Sequence, residues 1–182
     1  MKITETGFHG LLIFEPMVHS DDRGYFMESF NKETLRKSGI AFDPVQDNES
    51  SSVKGVIRGL HYQLRPFEQA KLIRVIEGKI YDVAVDMRRI SKTYGRWFGV
   101  ELTAESRKQL FIPRGFAHGF SVLSKCAVIQ YKCDNYYRPG SERGIALNDT
   151  SLGIDWKTDM SKAVISEKDL KNPLFRDAEN NF

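Results

Sequence analysis

The sequence predicts a mainly β protein built as a sandwich or a closed barrel. Three observations carry that expectation. Short strand-like runs separated by turn residues crowd the region from about residue 53 to 133. Helical signals are confined to two short stretches outside it. No repeat, low-complexity tract or linker divides the 182 residues, a length that suits a single domain over 1–182.

The elements follow in chain order. Asn31 is placed to cap a short helix running through Arg36 and Lys37 and closed by Gly39. Val56–Gln63 reads as a strand. Lys71–Ile76 and Lys79–Asp86 are strands flanking Glu77-Gly78, which reads as a hairpin turn. In the second of them Tyr81, Val83 and Val85 alternate with Ile80, Asp82 and Ala84, the period of a pleated strand. Trp97–Leu102 is rich in aromatic and branched residues, and Leu110–Ile112 stops at Pro113. Ala117–Leu123 and Ala127–Lys132 follow, split by Ser124-Lys125. Ser166-Glu167-Lys168-Asp169 has the form of a capping box for a last short helix, which Pro173 would stop.

Composition narrows the function. Hydrophobic residues make up 41% and charged residues 28%, ordinary for a folded globular protein and against disorder. The net charge of +3 carries no basic stripe of the kind nucleic-acid binders use. The densest cations, Arg88, Arg89, Lys92 and Arg96, are broken by Tyr94 and Gly95 and read as a solvated loop. No apolar run approaches the ~20 residues of a membrane span, so no membrane partner is expected. The first residues, with an acid at Glu5, do not read as a secretory signal. Cys126 and Cys133 are seven apart, on opposite faces of one strand. They read as buried thiols of a reduced, cytoplasmic protein rather than as a disulfide.

Four segments hold polar residues where strands should be apolar. A regular Val56–Gln63 strand puts His61 and Gln63 on a face with Ile57 and Gly59 and turns Arg58 away. A bulge at Gly59 would bring Arg58 round. His118 shares a face with Phe116, Phe120 and Val122. Lys71 shares one with Ile73 and Val75, and Tyr131 with Ala127 and Ile129. Taken singly, each has a plain structural reading: a core histidine bonded to backbone, a snorkelling lysine, a core tyrosine with a wet hydroxyl. Taken together inside one small barrel, they read as the wall of a ligand cavity. Lys71 would face developing negative charge, and Tyr131 would be a proton donor.

Pro113-x-Gly115-x-x-His118 resembles the second motif of the cupin family of double-stranded β-barrels. The first cupin motif carries H-x-H and a carboxylate, and here His61-Tyr62-Gln63 lacks the second histidine. His61, His118 and Glu68 could just supply the three ligands a zinc or iron site needs, but a metal is the weaker reading.

A longer pattern runs through the chain. It comprises Asp22-Arg23-Gly24-Tyr25-Phe26-Met27-Glu28, Gln46-Asp47-Asn48-Glu49-Ser50, Arg58-Gly59-Leu60-His61-Tyr62-Gln63 and Ala70-Lys71-Leu72. It continues with Pro113-Arg114-Gly115-Phe116-Ala117-His118-Gly119-Phe120, then Tyr131-Lys132 with Asn135-Tyr136-Tyr137. Gly153-Ile154-Asp155-Trp156 and Ser166-Glu167-Lys168-Asp169 complete it. In this joint order the chain resembles the dTDP-4-dehydrorhamnose 3,5-epimerase family over nearly its whole length.

The resemblance implies a cupin-type double-stranded β-helix (jelly-roll) barrel with short peripheral helices. It implies a homodimer that works without metal or cofactor on a dTDP-linked 4-keto-6-deoxy sugar, in L-rhamnose biosynthesis. By the same resemblance His61 is the general base, paired with Asp169. Lys71 stabilises the enolate and Tyr131 is the general acid. Arg23, Phe26, Glu28, Gln46, Asn48, Arg58, Lys71, His118, Glu142 and Lys168 line the sugar-nucleotide site. The Arg23–Glu28 stretch and the Gln46/Asn48 pair are the candidates for delivery by the partner subunit.

Elementary chemistry agrees with those roles. C3 and C5 of a 4-keto sugar both flank the carbonyl, so either proton can leave only if the anion delocalises onto the C4 oxygen. A histidine steadied by a carboxylate suits the base, a lysine near the oxygen lowers the enolate's energy, and a phenol on the other face suits the acid. Two other classes share the barrel. A non-catalytic sugar-nucleotide-binding cupin would not need His61, Asp169, Lys71 and Tyr131 together, and a metal-dependent cupin would hold a metal. Single-centre epimerases on related nucleotide-linked 4-keto sugars keep parts of the same barrel, and Tyr131 favours inversion at both centres.

Overall fold

In the computed structural model, which describes residues 1–182, alternating sequence becomes two antiparallel sheets facing each other. The strands are β1 (Lys2–Glu5), β2 (Leu12–Glu15), β3 (Val18–Asp21), β4 (Gly24–Met27), β5 (Gln46–Val53), β6 (Ile57–Gln63) and β7 (Lys71–Glu77). They continue as β8 (Lys79–Asp86), β9 (Trp97–Thr103), β10 (Gln109–Ile112), β11 (Phe116–Val122), β12 (Cys126–Cys133) and β13 (Glu142–Gly144). Two short helices, α1 (Lys32–Lys37) and α2 (Glu167–Leu170), lie outside the sheets. No helix is long and apolar enough to cross a membrane.

One sheet has the order β1-β2-β10-β7-β12-β5 and the other β13-β6-β11-β8-β9. From β5 to β12 the chain changes sheet at every connection except β8 to β9, the winding of a jelly roll. Glu77-Gly78 is therefore not a hairpin turn. β7 and β8 belong to different sheets, and Gly78, at φ +78°, carries the chain from one to the other. A Cβ there would strike the Cys126 carbonyl and the Ser124 hydroxyl. A left-handed glycine serves either kind of corner, so the local sequence does not separate them.

Strand parity sorts the apolar side chains into three layers. Ile73, Val75, Leu110, Ile112, Ala127 and Ile129 from one sheet meet Ile80, Ala84, Phe116, Phe120 and Val122 from the other between the sheets. Outside the five-stranded sheet, Ile57, Leu60, Tyr62, Val83 and Val85 are covered by the C-terminal run through Trp156, Phe175 and Phe182. Outside the six-stranded sheet, Phe14, Leu72 and Phe111 are covered by Leu35 of α1 and by Phe42. Each fully buried side chain of this kind contributes roughly 1.5–3 kcal/mol relative to exposure. The Asn31 cap forms as expected, its side chain accepting from Thr34 N, and Gly39 follows the helix at φ +79°.

Several local expectations change. The strands before residue 53 and β13 are additions. β5, Gln-Asp-Asn-Glu-Ser-Ser-Ser-Val, is polar and has little strand propensity, and its pairing along β12 imposes the strand. Arg88 is not a solvated cation. It pairs at 2.7 Å with the fully buried Asp86, and its guanidinium lies over Phe116 at 4.5 Å. Asp86 also accepts from Ser91 and Thr93 and so organises the loop between β8 and β9. Both cysteines are free thiols, but only Cys133 is buried; Cys126 is partly exposed beside Glu77.

Candidate active site

Beside the central core, the space between the sheets opens into a cavity of about 440 Å³. A second lobe of about 280 Å³ adjoins it, and His61, Lys71 and Tyr131 line both. The parity that packs Ile73, Ala127 and Ile129 inward also turns Lys71 and Tyr131 into this space.

β6 presents His61 through a bulge. The β6–β11 register shifts between the His61–His118 and Arg58–Phe120 pairs. Gly59, at φ +127°, absorbs the shift, and a Cβ on it would run into the backbone of His118 and Gly119. Arg58 consequently lines the cavity with His61, while Ile57 packs with Leu60 and Tyr62 in the outer layer. The regular-strand grouping of Ile57 with His61 gives way to the bulged one.

α2 delivers the carboxylate. Ser166 caps the helix, its hydroxyl accepting from Asp169 N at 3.1 Å. The Asp169 side chain does not complete a capping box. It turns inward, pairing with His61 Nε2 at 2.6 Å and accepting from Gly59 N at 3.4 Å. Burial works to raise this carboxyl's pKa, but the bonds from His61 and Gly59 outweigh it and hold the pKa below the usual carboxylate value. His61 keeps 29% of its side chain exposed against 4% for Asp169, and Nδ1 is the ring nitrogen left free for chemistry.

Lys71 Nζ lies 5.9 Å from the centre of the Tyr131 ring. Burial pushes the Lys71 pKa down, opposed by the fields of Cys133, Glu142 and Asp82. Burial pushes the Tyr131 phenol up, so it holds its proton at neutral pH. Lys71 is thus placed beside any negative charge that develops in the cavity, and Tyr131 keeps a proton to donate.

His118 has its own acid. Its Nε2 pairs with Asp82 Oδ1 at 2.7 Å in an almost dry setting, with side-chain exposures of 9% and 0%. The second Asp82 oxygen is buried without a partner.

The second lobe is lined by Gln46, Asn48, Tyr137 and Glu142. Gln46 and Asn48 thus reach the cavity of their own chain and need no partner subunit to deliver them. β5 sits at the sheet edge next to β12, which aims both side chains inward. Glu142 accepts from the Tyr137 hydroxyl at 2.6 Å and pairs with Lys168. Burial would raise the Glu142 carboxyl, but those two bonds lower it. Lys168 is raised in turn by the same bond.

Arg23, Phe26 and Glu28 are not brought to this cavity. Arg23 and Phe26 lie on the β3–β4 hairpin, a separate two-stranded sheet, and Glu28 is exposed just beyond it. Arg23 pairs only with the neighbouring Asp21, and Phe26 is 71% exposed. The three-ligand metal set does not assemble either. His61 and His118 each hold an aspartate, Glu68 pairs with Arg65, and no group of three or more His, Cys, Asp or Glu side chains converges as a metal site requires.

Two site residues go beyond those the sequence singles out, Asp82 and Tyr137, and Gln63, marked in the sequence for replacing a histidine, takes on bonds to the wall that the sequence did not foretell. A carboxylate with inward parity between Ile80 and Ala84 was the available signal for Asp82. Gln63 and Tyr137 act through loop contacts that leave no local pattern.

A jelly roll holding a histidine–aspartate pair, a lysine and a tyrosine around one cavity defines a cupin-type sugar-nucleotide epimerase. Residues 5–177 match the family model described as dTDP-4-dehydrorhamnose 3,5-epimerase. The chain is 48% identical over 180 residues to the dTDP-4-dehydrorhamnose 3,5-epimerase of Shigella flexneri, covering 98% of each chain. It is similar to the solved structure of the dTDP-4-dehydrorhamnose 3,5-epimerase from Elizabethkingia anophelis, with TM-score 0.94, 47% identity and coverage of 100% and 99%. It is also similar to the Legionella pneumophila dTDP-6-deoxy-D-glucose-3,5-epimerase in complex with dTDP-4-keto-L-rhamnose, with TM-score 0.92, 45% identity and coverage of 96% and 93%. The chain belongs to the dTDP-4-dehydrorhamnose 3,5-epimerase family.

Proposed function

We propose that the protein converts dTDP-4-dehydro-6-deoxy-D-glucose to dTDP-4-dehydro-L-rhamnose by inverting C3 and C5, a step of L-rhamnose biosynthesis. The single observation that carries this reading is the His61–Asp169 pair sharing one cavity with Lys71 and Tyr131. His61 Nδ1 takes the proton alpha to the C4 ketone, and Asp169 fixes the ring and stabilises the imidazolium. Lys71 stabilises the enolate oxygen and Tyr131 returns a proton to the opposite face. Arg58, His118 and Lys168 surround the same space and suit a diphosphate and its sugar. This proton chemistry calls for no cofactor.

The working unit in this proposal is a cytoplasmic homodimer. Two unpaired thiols suit a reducing compartment. The exposed hairpin with Arg23 and Phe26, unused by its own cavity, suits insertion into that of a second copy. Light scattering should give a dimer. Mixing His61→Ala with Arg23→Glu copies should restore activity that neither has alone. Mixed copies that stay inactive overturn the shared site.

Deuterated water tests the reaction. Turnover of dTDP-4-dehydro-6-deoxy-D-glucose should incorporate solvent deuterium at both C3 and C5. Label at one carbon only demotes the protein to a single-centre epimerase, and binding without any label makes it a sugar-nucleotide-binding cupin.

A further inference from the structure

Gln63 stands where a metal-binding cupin carries its second histidine, and the residue is 4% exposed at the end of β6. Its amide is fully committed. Nε2 donates to Phe67 O at 2.6 Å and to Tyr136 O at 3.2 Å, and Oε1 accepts from Arg138 N at 2.6 Å. Two carbonyls face the nitrogen and one N–H faces the oxygen, so only one orientation of the amide satisfies all three.

The segment 136–138 belongs to no strand or helix, yet it walls the second lobe of the cavity through Tyr137. Backbone groups outside secondary structure need other partners. Gln63 supplies them at Tyr136 and Arg138, and Gln46 Oε1 accepts from Tyr137 N at 2.8 Å between them. Two glutamine side chains thus replace a missing ladder over three consecutive residues. Tyr137 is held in a position from which its hydroxyl reaches Glu142.

We propose that Gln63 is a positioning residue for substrate binding, acting through the Tyr136–Arg138 wall rather than on the reacting carbons. The inference rests on the epimerase reading above. The residue two places after the base is then not a vacated metal ligand but a strut of the second lobe's wall. His61, Asp169, Lys71 and Tyr131 make no bond to Gln63, so its loss should weaken binding and spare the proton transfers.

Steady-state kinetics of Gln63→Met, which keeps the length and removes every polar atom, is the test. KM for the dTDP-sugar should rise ~10-fold or more while kcat stays within ~3-fold. Gln63→Glu, which keeps the acceptor for Arg138 N but sets a buried carboxylate oxygen against the Phe67 and Tyr136 carbonyls, should raise KM at least as much as Gln63→Met. In the Gln63→Met/Tyr137→Ala double variant, KM should rise little beyond the larger single effect, since both act through one wall. A kcat loss as large as the KM rise, or losses that multiply, overturns the proposal. A wild-type measurement covers the case in which the variants fail to fold. The Arg138 amide should exchange hydrogen slowly compared with Gly140, and a fast-exchanging Arg138 amide also overturns it. Wild-type protein that does not turn over the sugar breaks the epimerase reading instead, while the Arg138 amide still reports on the strut.

Discussion

His61 and His118 face each other directly across the β6–β11 pairing, and each binds an aspartate through Nε2. Their acids arrive differently. Asp169 comes from α2, 108 residues away in sequence, and leaves His61 29% exposed. Asp82 comes from β8, the strand beside His118, and leaves His118 9% exposed. A carboxylate can steady an imidazole that gains and loses protons, or it can lock a ring in one place. The wetter pair suits proton traffic, so we assign His61–Asp169 to catalysis. The drier pair suits holding, so we assign His118–Asp82 to the wall that contacts substrate. On this assignment the same two residue types separate into two tasks according to how much water reaches each pair.

Substitutions can break that contrast, and the largest effect should come at His61. His61→Ala should lower deuterium exchange at C3 and C5 by at least ~1,000-fold, because the base is gone. Tyr131→Phe should cut product formation ~100-fold yet still permit some exchange, since the base remains. Equal residual exchange in the two variants sinks the division between base and acid.

Asp82→Asn and His118→Asn should each act mainly on binding, raising KM ~10-fold with a smaller change in kcat. Their double variant should be little worse than either alone, because Asp82 works through His118. If Asp82→Asn instead removes exchange as completely as His61→Ala, the two pairs are not distinct.

A pH–rate profile tests the protonation of Lys71. Lys71 must be protonated to stabilise an enolate, and burial holds its pKa below the usual lysine value. Activity should therefore fall as pH rises through that lowered value. Lys71→Arg, which stays charged, should move this limb upward at reduced kcat. A wild-type profile flat up to ~10.4, the ordinary lysine pKa, contradicts it.

The smallest effect concerns stability. The Asp169 pKa is lower in the folded protein than its ordinary 3.8. Its contribution is therefore fully present above the unfolded value and is lost as pH falls through the lowered folded value. Asp169→Asn should flatten the acid limb of a denaturation-versus-pH curve, and an unchanged limb rules out this linkage.

Much of the site was legible because strand parity is local. Alternation in Lys71–Ile76, Ala117–Leu123 and Ala127–Lys132 is enough to send Lys71, His118 and Tyr131 inward with their apolar neighbours. The capping pattern at Ser166 likewise announced α2. The direction of the Asp169 side chain was not legible, because a capping acid and a buried ligand of His61 share one local sequence. Arg58 depended on whether Gly59 bulges, and that is decided by how closely β11 packs against it. The strand β5 was hidden because its residues are polar and it is held by β12.

By itself the sequence determined that the chain is mainly β, which residues of the regular strands β7, β8, β11 and β12 share a face, and which side chains could do proton chemistry. These depend on period and residue type, which near neighbours settle. Only the tertiary structure decided that Glu77-Gly78 crosses between sheets and that His118 pairs with Asp82, and it brought together the His61–Asp169 pair that the family resemblance implied and the local pattern left open. It alone showed that Gln63 braces the cavity wall. Such contacts join residues up to 108 apart and rest on sheet order, register and one bulge, none of which a single strand's pattern contains.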